Sequence, residues 1–315
     1  MTSTHVLTVG RISVDLYADA PGARFEDEQR FVKSIGGSPT NVAVAATRLG
    51  HRSAVLTKVG ADPFGDYALA TLASFGVDTT HVGRDETLAT PLAFAALTPP
   101  DDPHLVFYRN PSAPDMQLTT QDIDDDSVRD VDLLWVAASA MAEQPARATI
   151  ERMLAIRARA THTVVDLDYR PTFWRSPEEA GAVIGGAIDG ATVAVGNRVE
   201  CEIAVGSDDP AEAADRLLAR GVGLAIVKMG ADGVLAATPH GTVVVPARPV
   251  EVVCGLGAGD AFGGALVHGL LSGWSPDAMV TYANAAGAIV ASRLMCADAM
   301  PTTTEIDDLL ATAAS

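Results

Sequence analysis

The chain is short of basic residues: 22 Lys and Arg stand against 40 Asp and Glu, for a formal net charge of -18. With no cationic surplus to neutralise phosphates, a nucleic-acid partner is not expected. Lysine is scarcest, present only as Lys33, Lys58 and Lys228, and none sits in the spacing of a phosphate-binding P-loop. Cysteine is equally sparse. Cys201, Cys254 and Cys296 lie far apart without a CxxC pair, which argues against a disulfide framework or zinc cluster and for a reducing compartment. The seven histidines form no HxxxH pair, so a metalloprotease helix is absent. No apolar run reaches the ~18 residues of a membrane span, and residues 1–10 lack the basic start and apolar core of a secretion signal. A cytoplasmic protein with no membrane partner is expected.

What is present suits a folded core. Hydrophobic residues make up 48% against 20% charged, and 28 glycines with 18 prolines punctuate many short elements. Apolar runs at 6–9, 54–59, 133–137, 163–166, 192–195 and 224–227 have the length and composition of strands covered on both faces. Helical patterns alternate with them over 64–75, 145–160, 211–220, 259–271 and 276–294. The clearest helix opens with Ser38 as N-cap and Pro39 at N1, places Val42, Ala45, Ala46 and Leu49 on one face, and stops at Gly50. Such alternation predicts a parallel sheet between helical layers. Residues 13–35 and 92–109 break the rhythm, alternating as strands without helices; they predict a small antiparallel sheet standing off the body, with 98–103 as its turn. One short acidic helix is expected after Pro301. No interior linker divides the chain, so a single domain over 1–315 is expected.

Two glycine clusters carry the chemistry. Gly255-Leu256-Gly257-Ala258-Gly259-Asp260 begins like a dinucleotide fingerprint, but Asp260 holds the third glycine's place and the first strand is far away. An NAD-dependent oxidoreductase is therefore disfavoured. Small residues let backbone N–H groups crowd at the positive end of a helix, an anion hole suited to a phosphoryl group. Asp260 at that terminus has the chemistry to take a proton from an alcohol attacking phosphorus. Taken alone, the same residues also read as a capping Asp with glycines for close packing. Gly36-Gly37-Ser38-Pro39-Thr40-Asn41, followed by Gly50 and Gly60, reads alone as a turn, a capped helix and two stops.

Together these segments resemble the two signatures of the PfkB (ribokinase-like) carbohydrate kinases. The first is similar throughout 36–60 and the second in its Gly-Ala-Gly-Asp heart; the resemblance covers essentially the whole chain. It implies an α/β fold, a ribokinase-like three-layer α/β/α sandwich with a mostly parallel central sheet and a small β-sheet lid. It also implies an ATP-dependent phosphotransferase, with Asp260 as catalytic base and the amides of Gly257, Ala258 and Gly259 as anion hole. Asn197-Arg198-Val199-Glu200 is similar to the family's NxxE motif, which implies that Asn197 serves the nucleotide and Glu200 positions Mg2+ through water. The segment Lys228 to Gly233 resembles the nucleotide loop, implying contacts from Lys228, Gly230 and Gly233, and Asn284 falls where the adenine pocket is lined. Each passes singly as a helix start, a turn or a buried Asn. One departure stands out: the family's Asp-Thr-x before Gly-Ala-Gly-Asp is here Cys254-Gly255-Leu256, which puts dependence on a monovalent cation in doubt.

The acceptor side is read from other segments. Asp15 lies where relatives bind acceptor hydroxyls, and a carboxylate accepts from two hydroxyls at once; Gly36, Gly37 and Asn41 belong to the same side by resemblance. Phe107-Tyr108-Arg109 and Asp166-Leu167-Asp168-Tyr169-Arg170-Pro171 resemble the family's sugar-acid branch. There an Arg from each region, here Arg109 and Arg170, faces the substrate carboxylate, accompanied by Phe107 and Asp168. In so acidic a chain, two arginines aimed at one pocket are the local correction an acid substrate requires, and their planar forks hold a carboxylate bidentately. The resemblance implies transfer to a primary hydroxyl of 5-dehydro-2-deoxy-D-gluconate, in myo-inositol breakdown. The alternatives are 2-dehydro-3-deoxygluconate or a neutral sugar such as ribose or fructose. A non-catalytic nucleotide or sugar sensor is the reading from another class, and Asp260 speaks against it. The implied partners are the sugar acid and ATP, and the apolar alternation at 92–97 permits a homodimer through the lid.

Overall fold

The computed structural model describes residues 5–20, 24–97, 99–100 and 103–312. Its strands are β1 (Val6–Val9), β2 (Ser13–Ala18), β3 (Phe31–Gly36), β4 (Ser53–Gly60), β5 (Val82–Asp85), β6 (Leu92–Ala96), β7 (His104–Tyr108), β8 (Leu133–Ala137), β9 (Thr163–Asp166), β10 (Val193–Asn197), β11 (Leu224–Lys228), β12 (Val234–Thr238) and β13 (Gly241–Val245). Its helices are α1 (Ser38–Arg48), α2 (Pro63–Ser74), α3 (Asp125–Asp130), α4 (Ala146–Arg157), α5 (Pro177–Ile188), α6 (Arg198–Val205), α7 (Pro210–Ala219), α8 (Ala258–Leu271), α9 (Pro276–Ala291) and α10 (Thr303–Thr312).

Nine strands form the main sheet in the order β13-β12-β11-β10-β9-β8-β1-β4-β5. All its pairs from β5 across to β11 are parallel, and only β12 and β13 run antiparallel at the edge. The central strands are apolar throughout because both faces are covered. Val6, Val55 and Trp135 face the core shared with α1, α8 and α9; Leu7, Leu56 and Val136 face the one shared with α4, α5 and α7. This is a three-layer α/β/α sandwich with a mostly parallel sheet. From β1 the chain builds outward through β4 and β5, then returns to start β8 on the other side of β1. The crevice beyond the C-terminal ends of β1 and β8 is thus a topological switch point, where ligands of such sheets bind.

A second sheet, ordered β3-β2-β6-β7, forms the lid. It departs from the antiparallel expectation in one pair: β2 and β6 run parallel. Parallel neighbours need a long crossover, and α1, β4, α2 and β5 supply it between them. Of its expected turn, Thr98, Asp101 and Asp102 lie outside the described residues.

Helix α1 is capped by Gly37, φ 101°, not by Ser38, which falls in the first turn. A Cβ at Gly37 would overlap the carbonyl of Arg11, so only glycine lets the chain enter the helix there. Ser38 Oγ turns instead to the Asp166 carboxylate at 3.4 Å. At the other end of the crossing, a Cβ on Gly264 would overlap Ala45, and one on Gly263 would stand 2.9 Å from the Trp135 ring. Bare backbone lets α8 lie against α1, and this close approach brings the first turns of the two helices together.

Candidate active site

Helix α8 opens on Gly257 in the left-handed region, φ 81°, with no side-chain cap. A Cβ there would lie 2.8 Å from Cys296 Sγ, so both backbone and space call for glycine. Its first good intrahelical bond is Ala261 N–H to Gly257 O at 2.9 Å. The amides of Gly257, Gly259 and Asp260 donate to no protein acceptor among the described residues, and Ala258 reaches Gly255 O only at 3.5 Å. Free N–H groups at the positive end of a 14-residue helix make an anion site. Lys228, at the end of β11, brings its Nζ within 3.4 Å of where a Gly259 Cβ would stand. Burial alone would lower the Lys228 pKa, but the carboxylates of Glu200, Asp166, Asp260 and Asp168 outweigh it and hold the ammonium charged.

Asp260 lies in the first turn of α8, where Asn41 of α1 donates from Nδ2 to its Oδ2 at 2.7 Å. Burial raises its pKa above the usual aspartate value, against the bonds from Asn41 and Ser38. A raised carboxylate pKa suits a general base. The Asn41 Oδ1 is buried with no partner among the described residues, so the amide that orients Asp260 keeps an acceptor free.

On one side of this helix terminus lies a cleft of about 760 Å³ between the segment following β13 and helices α8 and α9. Lys228, Gly230, Gly233, Arg248, Gly259 and Asn284 line it. Asn284 Nδ2 donates to Pro246 O at 3.2 Å, tying α9 to the segment that walls the cleft. Asn197 and Glu200 do not line it. They close on each other as a capping box for α6, with Asn197 N–H to Glu200 Oε2 at 2.7 Å and Glu200 N–H to Asn197 Oδ1 at 2.9 Å. Among the described residues, no group of three or more His, Cys, Asp or Glu is disposed to hold a metal.

On the other side, under the lid, a narrow cavity of about 70 Å³ is lined by Arg11, Asp15, Asn41, Phe107, Arg170 and Asp260, with Gly37, Gly257 and Cys296. Small-molecule sites usually offer about 300–1,000 Å³, so this cavity as it stands is small for a sugar-sized ligand. Asp15 on β2 accepts from Ser13 Oγ at 2.6 Å and Tyr17 OH at 3.2 Å. Burial pushes its pKa up to about 6. A Cβ at Gly36 would overlap that carboxylate, which explains the first glycine of the pair.

Asp168 is buried below this cavity with φ 23°, a strained angle for an aspartate. Its Oδ2 accepts from Arg11 Nη2 at 3.1 Å and from Ser139 Oγ, and its Oδ1 pairs with Arg170 Nη2 at 3.1 Å. Burial would raise its pKa, but Arg170 and Arg11 outweigh that and keep it a carboxylate. Neighbouring Asp166 goes the other way: burial pushes it to about 8, with Lys228 opposing. Arg109 is placed differently from Arg170. It pairs with buried Asp115 at 2.7 Å, stacks 4.5 Å over the Phe173 ring, and does not line the cavity.

The structure thus gathers Asp260, Asn41, Asp15, Phe107 and Arg170 about one cavity, and Lys228, Gly230, Gly233 and Asn284 about the other. Asp168 sits beneath, and Arg109, Asn197 and Glu200 stand apart from both linings. Sequence reasoning passed over Arg11, Ser38 and Ser139. The available signal for Arg11 was its position two residues past β1, and for Ser139 two past β8. Those are the strand ends that frame the switch point, which becomes visible only with the strand order.

Residues 3–303 match the family model described as pfkB family carbohydrate kinase. A 5-dehydro-2-deoxygluconokinase of Geobacillus thermodenitrificans is 33% identical over 313 residues, 96% of this chain and 92% of that protein. A fructokinase double mutant from Vibrio cholerae, solved in its fructose, ADP and potassium ion bound form, superposes with TM-score 0.86 at 28% identity, covering 98% of this chain and 99% of that one. An uncharacterized sugar kinase from Pyrococcus horikoshii in complex with ATP gives TM-score 0.79 at 26% identity, covering 96% and 99%.

Proposed function

The chain belongs to the pfkB family of carbohydrate kinases, and from that premise we propose that it transfers the γ-phosphoryl group of ATP to the primary hydroxyl of 5-dehydro-2-deoxy-D-gluconate in myo-inositol breakdown. The observation that carries the reading is Asp260: oriented by Asn41 at 2.7 Å, it stands between the acceptor cavity, where Arg170 offers a guanidinium, and the free amides of α8. The name of the Geobacillus relative points to the same acceptor.

On this reading Asp260 accepts the alcohol proton as the acceptor oxygen bonds to the γ-phosphorus and the bond to the ADP oxygen breaks. The amides of Gly257, Ala258 and Gly259, with Lys228, face the charge on the transferring group. Asp15 accepts from acceptor hydroxyls, and the lid excludes the water that would otherwise consume ATP.

Glu200 is the carboxylate that would serve Mg2+ through water: among the described residues no hydrogen bond reaches its Oε1, and this ion takes most of its ligands from phosphate and water. When bound, Mg2+ neutralises phosphate charge. A monovalent cation would find no carboxylate at position 254: Cys254 is fully buried and burial raises its thiol pKa, so it offers neutral sulfur where the family carries an Asp. A cytoplasmic setting agrees with three buried free cysteines. Pairing of two copies through the lid is supported by its outward face, where Phe31, Phe94 and Tyr108 stack edge to face and Tyr108 is 62% exposed.

The test is ADP release over a panel of deoxy-keto-gluconic acids, neutral sugars and nucleosides, with the phosphorylated carbon located by NMR. Turnover of 5-dehydro-2-deoxygluconate above all others is expected. Preference for 2-dehydro-3-deoxygluconate would reassign the acceptor, and turnover confined to neutral sugars would remove the acid reading.

A further inference from the structure

Two arginine–aspartate arrangements flank the acceptor cavity, and their charge counts differ. Arg109 and Asp115 pair one to one, with side chains 10% and 0% exposed. The second oxygen of Asp115 accepts from Ile12 N–H at 3.3 Å, so this pair joins the two chain segments at the root of the lid, before β2 and after β7. It is internally neutral and asks for no ligand. Asp168, by contrast, is shared by Arg11 and Arg170, one on each oxygen. Two guanidiniums share this one carboxylate, a surplus of one positive charge within the trio, and both arginines line the cavity together with Asp15 and Asp260.

Arg11 is also preorganised. Its Nε donates to Ser139 Oγ at 2.8 Å, its Nη2 to Asp168, and its plane lies over the Phe173 ring at 5.1 Å. Its side chain is 6% exposed. Nη1 makes no hydrogen bond among the described residues, so one edge of the fork stays available. Asp15 faces Arg11 electrostatically, the guanidinium opposing the rise in its pKa, but the two share no hydrogen bond because Asp15 takes its own from Ser13 and Tyr17. A guanidinium held on three sides with a free edge turned to a cavity is the arrangement that reads a planar anion.

We propose that Arg11, with Arg170, receives the carboxylate of the acceptor, that Asp168 is the positioning residue holding both forks, and that Arg109 serves the lid root instead. The inference rests on the acid-acceptor reading above. It assigns acceptor selectivity to a side chain on the body of the protein, present before the lid closes.

The experiment compares 5-dehydro-2-deoxygluconate with its uncharged methyl ester as acceptors in wild type, Arg11→Gln, Arg11→Lys and Arg109→Gln. Binding of each acceptor without ATP is measured by calorimetry. Arg11→Gln is expected to raise KM and Kd for the acid by about 10- to 100-fold, the worth of a charge-assisted pair, with little change for the ester or for ATP. Arg11→Lys, which keeps the charge but loses the fork, is expected to fall between and serves if Arg11→Gln does not fold. Arg109→Gln, which strands buried Asp115, is expected to lower Tm and to raise acid KM less than Arg11→Gln does. The assignment is overturned if the Arg11 variants keep the wild-type preference for acid over ester, or if Arg109→Gln abolishes that preference and they do not. A wild-type enzyme that turns over neutral sugars and no acid removes the acceptor reading first, and this inference with it.

Discussion

On the proposed nucleotide side, the groups available are main-chain amides at 257–260, a lysine at the end of β11 and an amide side chain that pins one cleft wall. On the proposed acceptor side they are charged side chains, Arg11 and Asp168 buried and Asp15 and Arg170 partly so, with Arg11 and Asp168 brought together from 157 residues apart. The first side owes its field to peptide dipoles that need no counter-charge. The second holds ions in a low-dielectric pocket, where each must be partnered and each pKa moves. A dipole-built site is general for any phosphoryl donor, whereas an ion-built site discriminates among acceptors by charge.

The largest expected effect falls where the two sides meet. Asp260→Asn should reduce kcat by about 10²–10⁴-fold while leaving ATP affinity intact, as measured by steady-state kinetics beside nucleotide binding. An unchanged kcat would reject Asp260 as the base. Next is Gly257→Ala on the dipole side. It forces a Cβ into the left-handed region and toward Cys296, so about 10-fold loss of turnover and ~1–2 kcal/mol of stability should appear together. Activity lost with full stability would uncouple the two.

The acceptor side should answer in the opposite sense. The folded pKa of Asp15, about 6, lies above the ordinary 3.8, so folding binds the proton more tightly and ionising this group costs stability as pH rises through that window. Asp15→Asn should therefore raise Tm by about 2–4 °C at pH 8, with the gain vanishing below pH ~4. It should at the same time raise KM for the acceptor. A variant less stable than wild type at pH 8 would contradict the burial of that charge. The smallest effect is expected from Asn284→Ala, which loosens one cleft wall. KM for ATP should rise about 2–5-fold with no change in acceptor KM; an equal rise in both would mean that the two sides are not independent.

The legible elements share a cause. Val6–Val9, Leu133–Ala137 and Thr163–Asp166 are bounded as the apolar runs suggest, because they are covered on both faces. Helix α5 was passed over although Ser176 caps it and Pro177 opens it. Its glycines disguise the helical pattern, and at Gly181 the reason is packing: a Cβ would stand 2.6 Å from Ile203 O of α6. Helix α4 stops at Arg157, short of the expected end, because Ala158 and Arg159 take positive φ. The β12–β13 hairpin escaped notice because β13 is an edge strand, largely exposed, without the run of a buried one. In the site, Arg109 and Arg170 look alike in sequence, each just past a strand. Only the fold shows that Asp115, six residues beyond Arg109, claims it for the lid root.

From sequence alone came the layered architecture, the glycine-rich helix start and the candidate base beside it. Each depends on backbone conformations and periodicities set by near neighbours, and a helix start or a buried run is written where it forms. Which arginines line the cavity beside Asp260 was decided only when strand order placed the ends of β1, β8 and β9 side by side. Charge pairing depends on distance through space, and residues 11, 139 and 168 carry no mark in the chain of having become neighbours.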